Sequence, residues 1–180
     1  MRTLSSRERI KLICRLSAYL SFALILSYVE ALLPAGLFIP IPGFKLGLAN
    51  IIVIICYFGE SPLCAFGVSL ARVLISALLF GNLSSFVFSF FGAALSFISI
   101  FVVSALLKDK ISFIGLSVVS AVFHNIGQFI CSAFYVGSLA AFSYLPALMI
   151  SGLICGTVTG VILCVLPRKI FFERNFGSSK

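Results

Sequence analysis

An acid, two bases, an imidazole and three amides stand out because almost everything around them is hydrocarbon: Glu30, Lys45, Arg72, His124, Asn50, Asn125 and Gln128. Arg72 lies in the middle of SLARVLISALLFG, too far from either end of that run to snorkel easily. An arginine at the bilayer centre costs about 2.5–3.5 kcal/mol by insertion scales. It must therefore face the interior of a helix bundle and find an anion there. Glu30 is the acid near membrane depth on that side, whereas Glu60, Asp109 and Glu173 fall at the opposite face. In AVFHNIGQFI, His124 and Gln128 are four residues apart on one helix face, and Asn125 pairs with Gln128 at a spacing of three. Asn50 falls near the start of another apolar run.

Such a set suits the capture of a neutral or anionic solute. Lys45 and Arg72 supply two positive charges and Glu30 one negative, and a protonated His124 would add a third positive. Asn50, Asn125 and Gln128 would orient the solute, and Phe44, Phe80 and Phe123 would wall it. The competing reading is a buried polar network that ties helices together, with Glu30 paired to Arg72 or Lys45. Intramembrane polar pairs contribute only about 0.6 kcal/mol on average. Seven polar groups on one side of a small bundle exceed what packing needs, and ionisable residues within a membrane mark function by default.

Other chemistries find little support. The six cysteines (Cys14, Cys56, Cys64, Cys131, Cys155 and Cys164) form no CxxC pair and lie in or beside apolar runs, as small buried hydrophobes do. A single histidine does not make a metal centre. There is no DDxxD carboxylate cluster for a metal–diphosphate site and no Walker A loop. The expectation is a protein that is not an enzyme and holds neither cofactor nor metal.

The elements that position these residues follow from composition. The 180 residues are 61% hydrophobic and 10% charged, too few charges to cover a soluble domain. Several apolar runs exceed the roughly 18 residues that mark a spanning helix. The pattern predicts one all-α, polytopic membrane domain over 1–180, a bundle of six transmembrane helices at about 12–33, 46–58, 63–80, 84–107, 111–136 and 144–166. The second helix is short, about 20 Å at 1.5 Å per residue, so it should begin inside the membrane. It follows EALLPAGLFIPIPGFKLGLAN, Glu30 to Asn50, whose three prolines and three glycines rule out an ordinary spanning helix. Irregular backbone at that depth must be buried or line a wet cavity, so this Pro/Gly-rich segment reads as an outer loop closing a binding cavity.

Six helices put both termini on one side. With that side in the cytoplasm, eleven of the thirteen Lys and Arg residues fall inside, leaving Lys45 outside and Arg72 within a helix. The net charge of +8 is thus an orientation signal of a cytoplasmic-membrane protein and no sign of nucleic acid. The first apolar run is too long for a cleavable signal peptide. Small residues recur every four positions at Gly152, Gly156 and Gly160, and at Ala23, Ser27 and Ala31. Such stripes let backbones approach closely, either within the bundle or against another subunit.

The blocks EALLP…IPGFKLGLANI, ARVLISALLFG and AVFHNIGQ resemble the bacterial family called heptaprenyl diphosphate synthase component I, also named the Gx transporter family. The resemblance covers about residues 15–165. That family is similar to the substrate-binding S-components of energy-coupling-factor transporters. The resemblance implies a six-helix protein that captures a vitamin-like, isoprenoid or anionic solute from outside. It also implies docking on a transmembrane coupling subunit driven by two ATPases, through small residues on helix 1; Ser17/Ser21 and Ala23/Ser27/Ala31 have that spacing. The alternatives are a non-catalytic membrane subunit assisting polyprenyl diphosphate synthesis, and a structural subunit of a membrane redox complex.

Overall fold

The computed structural model describes residues 5–32, 47–107, 110–136 and 145–166, with backbone only at 135 and 136. Its described residues form six helices and no strands: α1 (Ser6–Leu32), α2 (Asn50–Gly59), α3 (Pro62–Phe80), α4 (Leu83–Leu107), α5 (Phe113–Val136) and α6 (Leu145–Val165). All except α2 are long and apolar enough to cross a membrane. The segment 33–46, with most of the expected Pro/Gly-rich loop, lies outside the described residues, as do 167–180.

Helix starts follow their capping residues. α1 begins six residues before the expected Leu12. Ser5 and Glu8 form a reciprocal capping box, Ser5 N–H donating to Glu8 Oε2 at 2.8 Å and Glu8 N–H to Ser5 Oγ at 3.3 Å. The charged SRERIK stretch thus forms the first turns of α1. Ser61 caps α3 by accepting from Cys64 N–H at 3.2 Å, with Pro62 at the first helical position. Asn82 caps α4 through Ser85 N–H at 2.8 Å, and Ser112 caps α5 through Gly115 N–H at 3.1 Å.

The short helix is the hub. α2 packs against all five others, whereas α1 and α6 make no direct helix contact among the described residues. Ten residues give it a length of about 15 Å, half a bilayer core. Its apolar sequence NIIVIICYFG buries Ile51, Val53, Ile54, Ile55 and Cys56 against Ala65, Val68, Ile100, Leu116 and Leu163. A second cluster of Phe88, Phe129, Cys131 and Leu148 fills the far half of α4, α5 and α6. Between the two clusters, each of these helices turns polar or small: Ser89, Gly92 and Ser96 on α4, Ser120, His124 and Gln128 on α5, and Gly152, Gly156 and Thr159 on α6.

α4, α5 and α6 are drawn together by glycine and hydroxyl pairs. A Cβ on Gly156 would stand 2.5 Å from Val118 Cα, and one on Gly160 2.6 Å from Ile114 Cα. The glycine stripe of α6 is therefore an internal face turned to α5. Ser96 and Ser120 hydroxyls meet at 2.7 Å, and Ser117 and Thr159 at 2.6 Å.

At the opposite end from Glu30, α1 is tied to the α2–α3 turn by a forked ion pair. Arg15 Nε lies 2.6 Å from Glu60 Oε1, and Arg15 Nη2 donates to Glu60 Oε2 at 3.3 Å. Arg15 thus meets an acid that is almost fully buried. Arg15→Met should lower stability by about 1 kcal/mol, the loss shrinking at high salt because the arginine is half-exposed. Thermal unfolding at two ionic strengths checks this, and an unaltered midpoint at low salt would show the fork to be idle.

Candidate functional site

Six of the seven expected site residues lie within the described structure, and all six are buried: Glu30, Asn50, Arg72, His124, Asn125 and Gln128. Lys45 and Phe44 lie outside the described residues.

The assembly starts at the entry to α2. Gly47 adopts φ +83°, a left-handed conformation that favours glycine. Its carbonyl accepts from Asn50 N–H at 3.0 Å, opening the helix in the middle of the bundle. Its own N–H donates to Glu30 Oε1. The carboxylate from the end of α1 thus holds the positive end of the α2 dipole. A Cβ at Gly47 would lie 3.2 Å from Asn50 Nδ2 and 3.3 Å from His124 Cδ2, so the glycine also lets α1, α2 and α5 meet.

Arg72 arrives from α3 at 2% exposure. Its Nη1 donates to Ser27 Oγ on α1 at 3.3 Å, and it lies close enough to Glu30 for their charges to attract. One carboxylate at the end of α1 therefore serves both the entry to α2 and Arg72 of α3. Two Arg72 donors, Nε and Nη2, are buried with no hydrogen-bond partner among the described residues; so is Asn50 Nδ2.

His124 completes the group from α5. Its imidazole is clasped by Gly92 of α4, where an added Cβ would come within 2.8 Å of Cε1. His124 Nε2 and Gln128 Nε2 lie 3.2 Å apart, as their four-residue spacing led one to expect. The amide oxygen of Gln128 is a buried acceptor without a partner among the described residues.

Asn125 turns elsewhere. Its Nδ2 donates to the Leu148 carbonyl at 2.7 Å and to Ser151 Oγ at 3.1 Å, clamping α5 to α6. The aromatic walls also differ from expectation. Phe123 is 42% exposed on the outer surface of the bundle, because its position on α5 is turned away from His124. Phe80 is half-buried and stacks edge-on against Tyr28, ring centroids 5.5 Å apart. Cys14 and Cys164 are exposed, although small buried side chains were expected, and all six thiols are free. Among the described residues no three His, Cys, Asp or Glu side chains group as metal ligands.

Sequence reasoning missed Ser27, Gly47 and Gly92. In the sequence Ser27 stands out only as a small residue in a stripe, yet it holds one end of Arg72. Gly92 stands between Phe91 and Ala93 with nothing to mark it, and Gly47 counts only as one of the three glycines of the Pro/Gly-rich segment.

Residues 19–166 match a family model whose description is heptaprenyl diphosphate synthase component I. No curated protein and no solved structure matches the chain.

Proposed function

The chain belongs to the heptaprenyl diphosphate synthase component I family, and on that premise we propose that it is a membrane substrate-binding subunit that takes up a small vitamin-like, isoprenoid or anionic solute. One observation carries the reading. Arg72, buried in the centre of a helical bundle, is fixed at one nitrogen and offers two more that no described side chain or backbone group satisfies. Structural arginines are ordinarily spent on partners within the protein, since an unmet buried donor costs about 1–3 kcal/mol. Glu30, whose charge attracts that of Arg72, is joined through Gly47 to Asn50 and His124, and these buried groups with Gln128 supply both acceptors and donors.

In this reading Arg72 and Asn50 hold the polar part of the solute, and His124 and Gln128 orient it. Glu30 sets the position of α2 and the field at Arg72, and Asn125 keeps α5 in register with α6. Lys45, close by in sequence, would add a second cation, and the positive-inside pattern supports an entrance outside and both termini in the cytoplasm. A transmembrane coupling subunit and ATPases would be its partners.

The family description favours a second reading, a membrane subunit that presents an isoprenoid diphosphate to a soluble prenyltransferase. The two part company in one experiment. Native mass spectrometry of the gently solubilised protein should reveal a retained small molecule at near one-to-one occupancy in the uptake reading. Copurification with a prenyltransferase, and polyprenyl synthesis restored on mixing, would favour the second. A protein that carries no small molecule and picks none up from cell extract would defeat both.

A further inference from the structure

Three buried donor nitrogens meet no acceptor among the described residues: Nε and Nη2 of Arg72, and Nδ2 of Asn50. On a guanidinium, Nε and Nη2 form one edge, and their N–H bonds run parallel. That edge matches two oxygens of a carboxylate or phosphate. The remaining nitrogen, Nη1, is held by Ser27 Oγ at 3.3 Å, which fixes the plane of the group. Arg72 is 2% exposed and Asn50 6% exposed. The first turn of α2, which carries Asn50, adds the positive end of a helix dipole. Glu30 Oε1 accepts from Gly47 N–H, so part of the local negative charge is engaged by the backbone of α2.

We infer that the solute carries a carboxylate or phosphate group that seats two oxygens on the Nε–Nη2 edge of Arg72 and a further contact on Asn50 Nδ2. This rests on the solute-binding reading above and adds the chemical class of the group recognised. Binding is a matter of geometry as well as charge. Lysine at 72 would keep the positive charge and lose the fork. Aspartate at 50 would place a negative charge where an oxyanion must lie.

The test uses the full-length protein in detergent and three matched probes, hexanoate, hexyl phosphate and the neutral hexanamide. Binding is read by thermal shift and isothermal calorimetry. The inference expects hexanoate or hexyl phosphate to bind and hexanamide to bind much more weakly. The response to each acid identifies which oxyanion the site prefers. Arg72→Lys should weaken the preferred acid roughly ten- to hundredfold, the worth of a hydrogen bond to a charged group. Asn50→Asp should remove its binding, and because it leaves Arg72 and its Ser27 bond in place it also serves if Arg72→Lys does not fold. Equal affinity for hexanamide and the acids, or an Arg72→Lys variant that binds the acid as wild type does, would overturn the inference. Native mass spectra of the same preparation keep the two failures apart. A retained uncharged solute would refute the oxyanion and leave the uptake reading standing, whereas no retained molecule together with no probe binding would remove both. The retained mass also tells a lipid headgroup from a water-soluble acid.

Discussion

Replacing Glu30 by alanine is expected to lower the thermal midpoint in detergent by on the order of 10 °C. The carboxylate has two tasks. It accepts from Gly47 N–H where α2 begins, and its charge offsets that of Arg72. The other acids among the described residues, Glu8 and Glu60, are committed elsewhere, in the α1 capping box and the Arg15 fork. Without Glu30, Arg72 becomes a buried cation with a hydroxyl and no counter-charge among the described residues. Removing one member of a buried charged pair typically costs about 3–5 kcal/mol, because the other stays buried and uncompensated. Glu30→Gln should fall between, since the amide oxygen can still accept from Gly47 while the charge is gone. The double variant Glu30→Ala/Arg72→Leu separates cause from context. Apolar replacement of both partners is often neutral or better, so the double variant should regain much of the loss. If Glu30→Ala is as damaging with Leu at 72 as with Arg, the two residues are not coupled.

How much of this was legible beforehand varies with the kind of signal. The starts of α3 and α4 were readable because Ser61-Pro62 and Asn82 are local caps, and local caps act through neighbours in sequence. The start of α1 lies ahead of the apolar run that sets the expected start at 12, because the Ser5–Glu8 box carries the helix through the charged SRERIK stretch. Arg72, His124 and Gln128 announced themselves by polarity in an apolar run, and the bundle buries all three. What polarity could not indicate is direction. Phe123 and Asn125 flank His124 in sequence, yet Phe123 looks outward and Asn125 reaches into α6. A helix places adjacent residues about 100° apart, so which neighbour shares the site depends on where other helices stand. The Arg15–Glu60 fork and the Ser27 bond to Arg72 each join residues 45 positions apart. No periodicity within one helix reports such pairs. The central place of α2 was equally hidden: its shortness was plain, but its contact with every other helix is a property of the assembled bundle.

The glycines that close the bundle make the second large effect. Gly156→Ala adds one carbon, and that carbon would stand 2.5 Å from the Cα of Val118 and 3.1 Å from Ser117 O. Backbone cannot rotate out of the way as a side chain can, so α6 and α5 must move apart. Overpacking of this kind typically costs about 1–3 kcal/mol, and Gly156→Val should exceed Gly156→Ala. Gly67 provides the control within the same protein. It lies mid-helix in α3, exposed, with nothing within 4 Å of an added Cβ. There the exchange to alanine should be neutral or stabilising by roughly 0.5–1 kcal/mol, because alanine is the better helix former. The contrast reaches the site as well, for α5 carries His124 and Gln128 on the same helix that Gly156 admits. Separating α5 from α6 also strains the Asn125 bonds to Leu148 and Ser151. Gly156→Ala is therefore expected to weaken solute retention in native mass spectra along with the melting temperature, while Gly67→Ala leaves both intact. Equal behaviour of the two alanine variants would mean that α5 and α6 are not held at the separation that these glycines set.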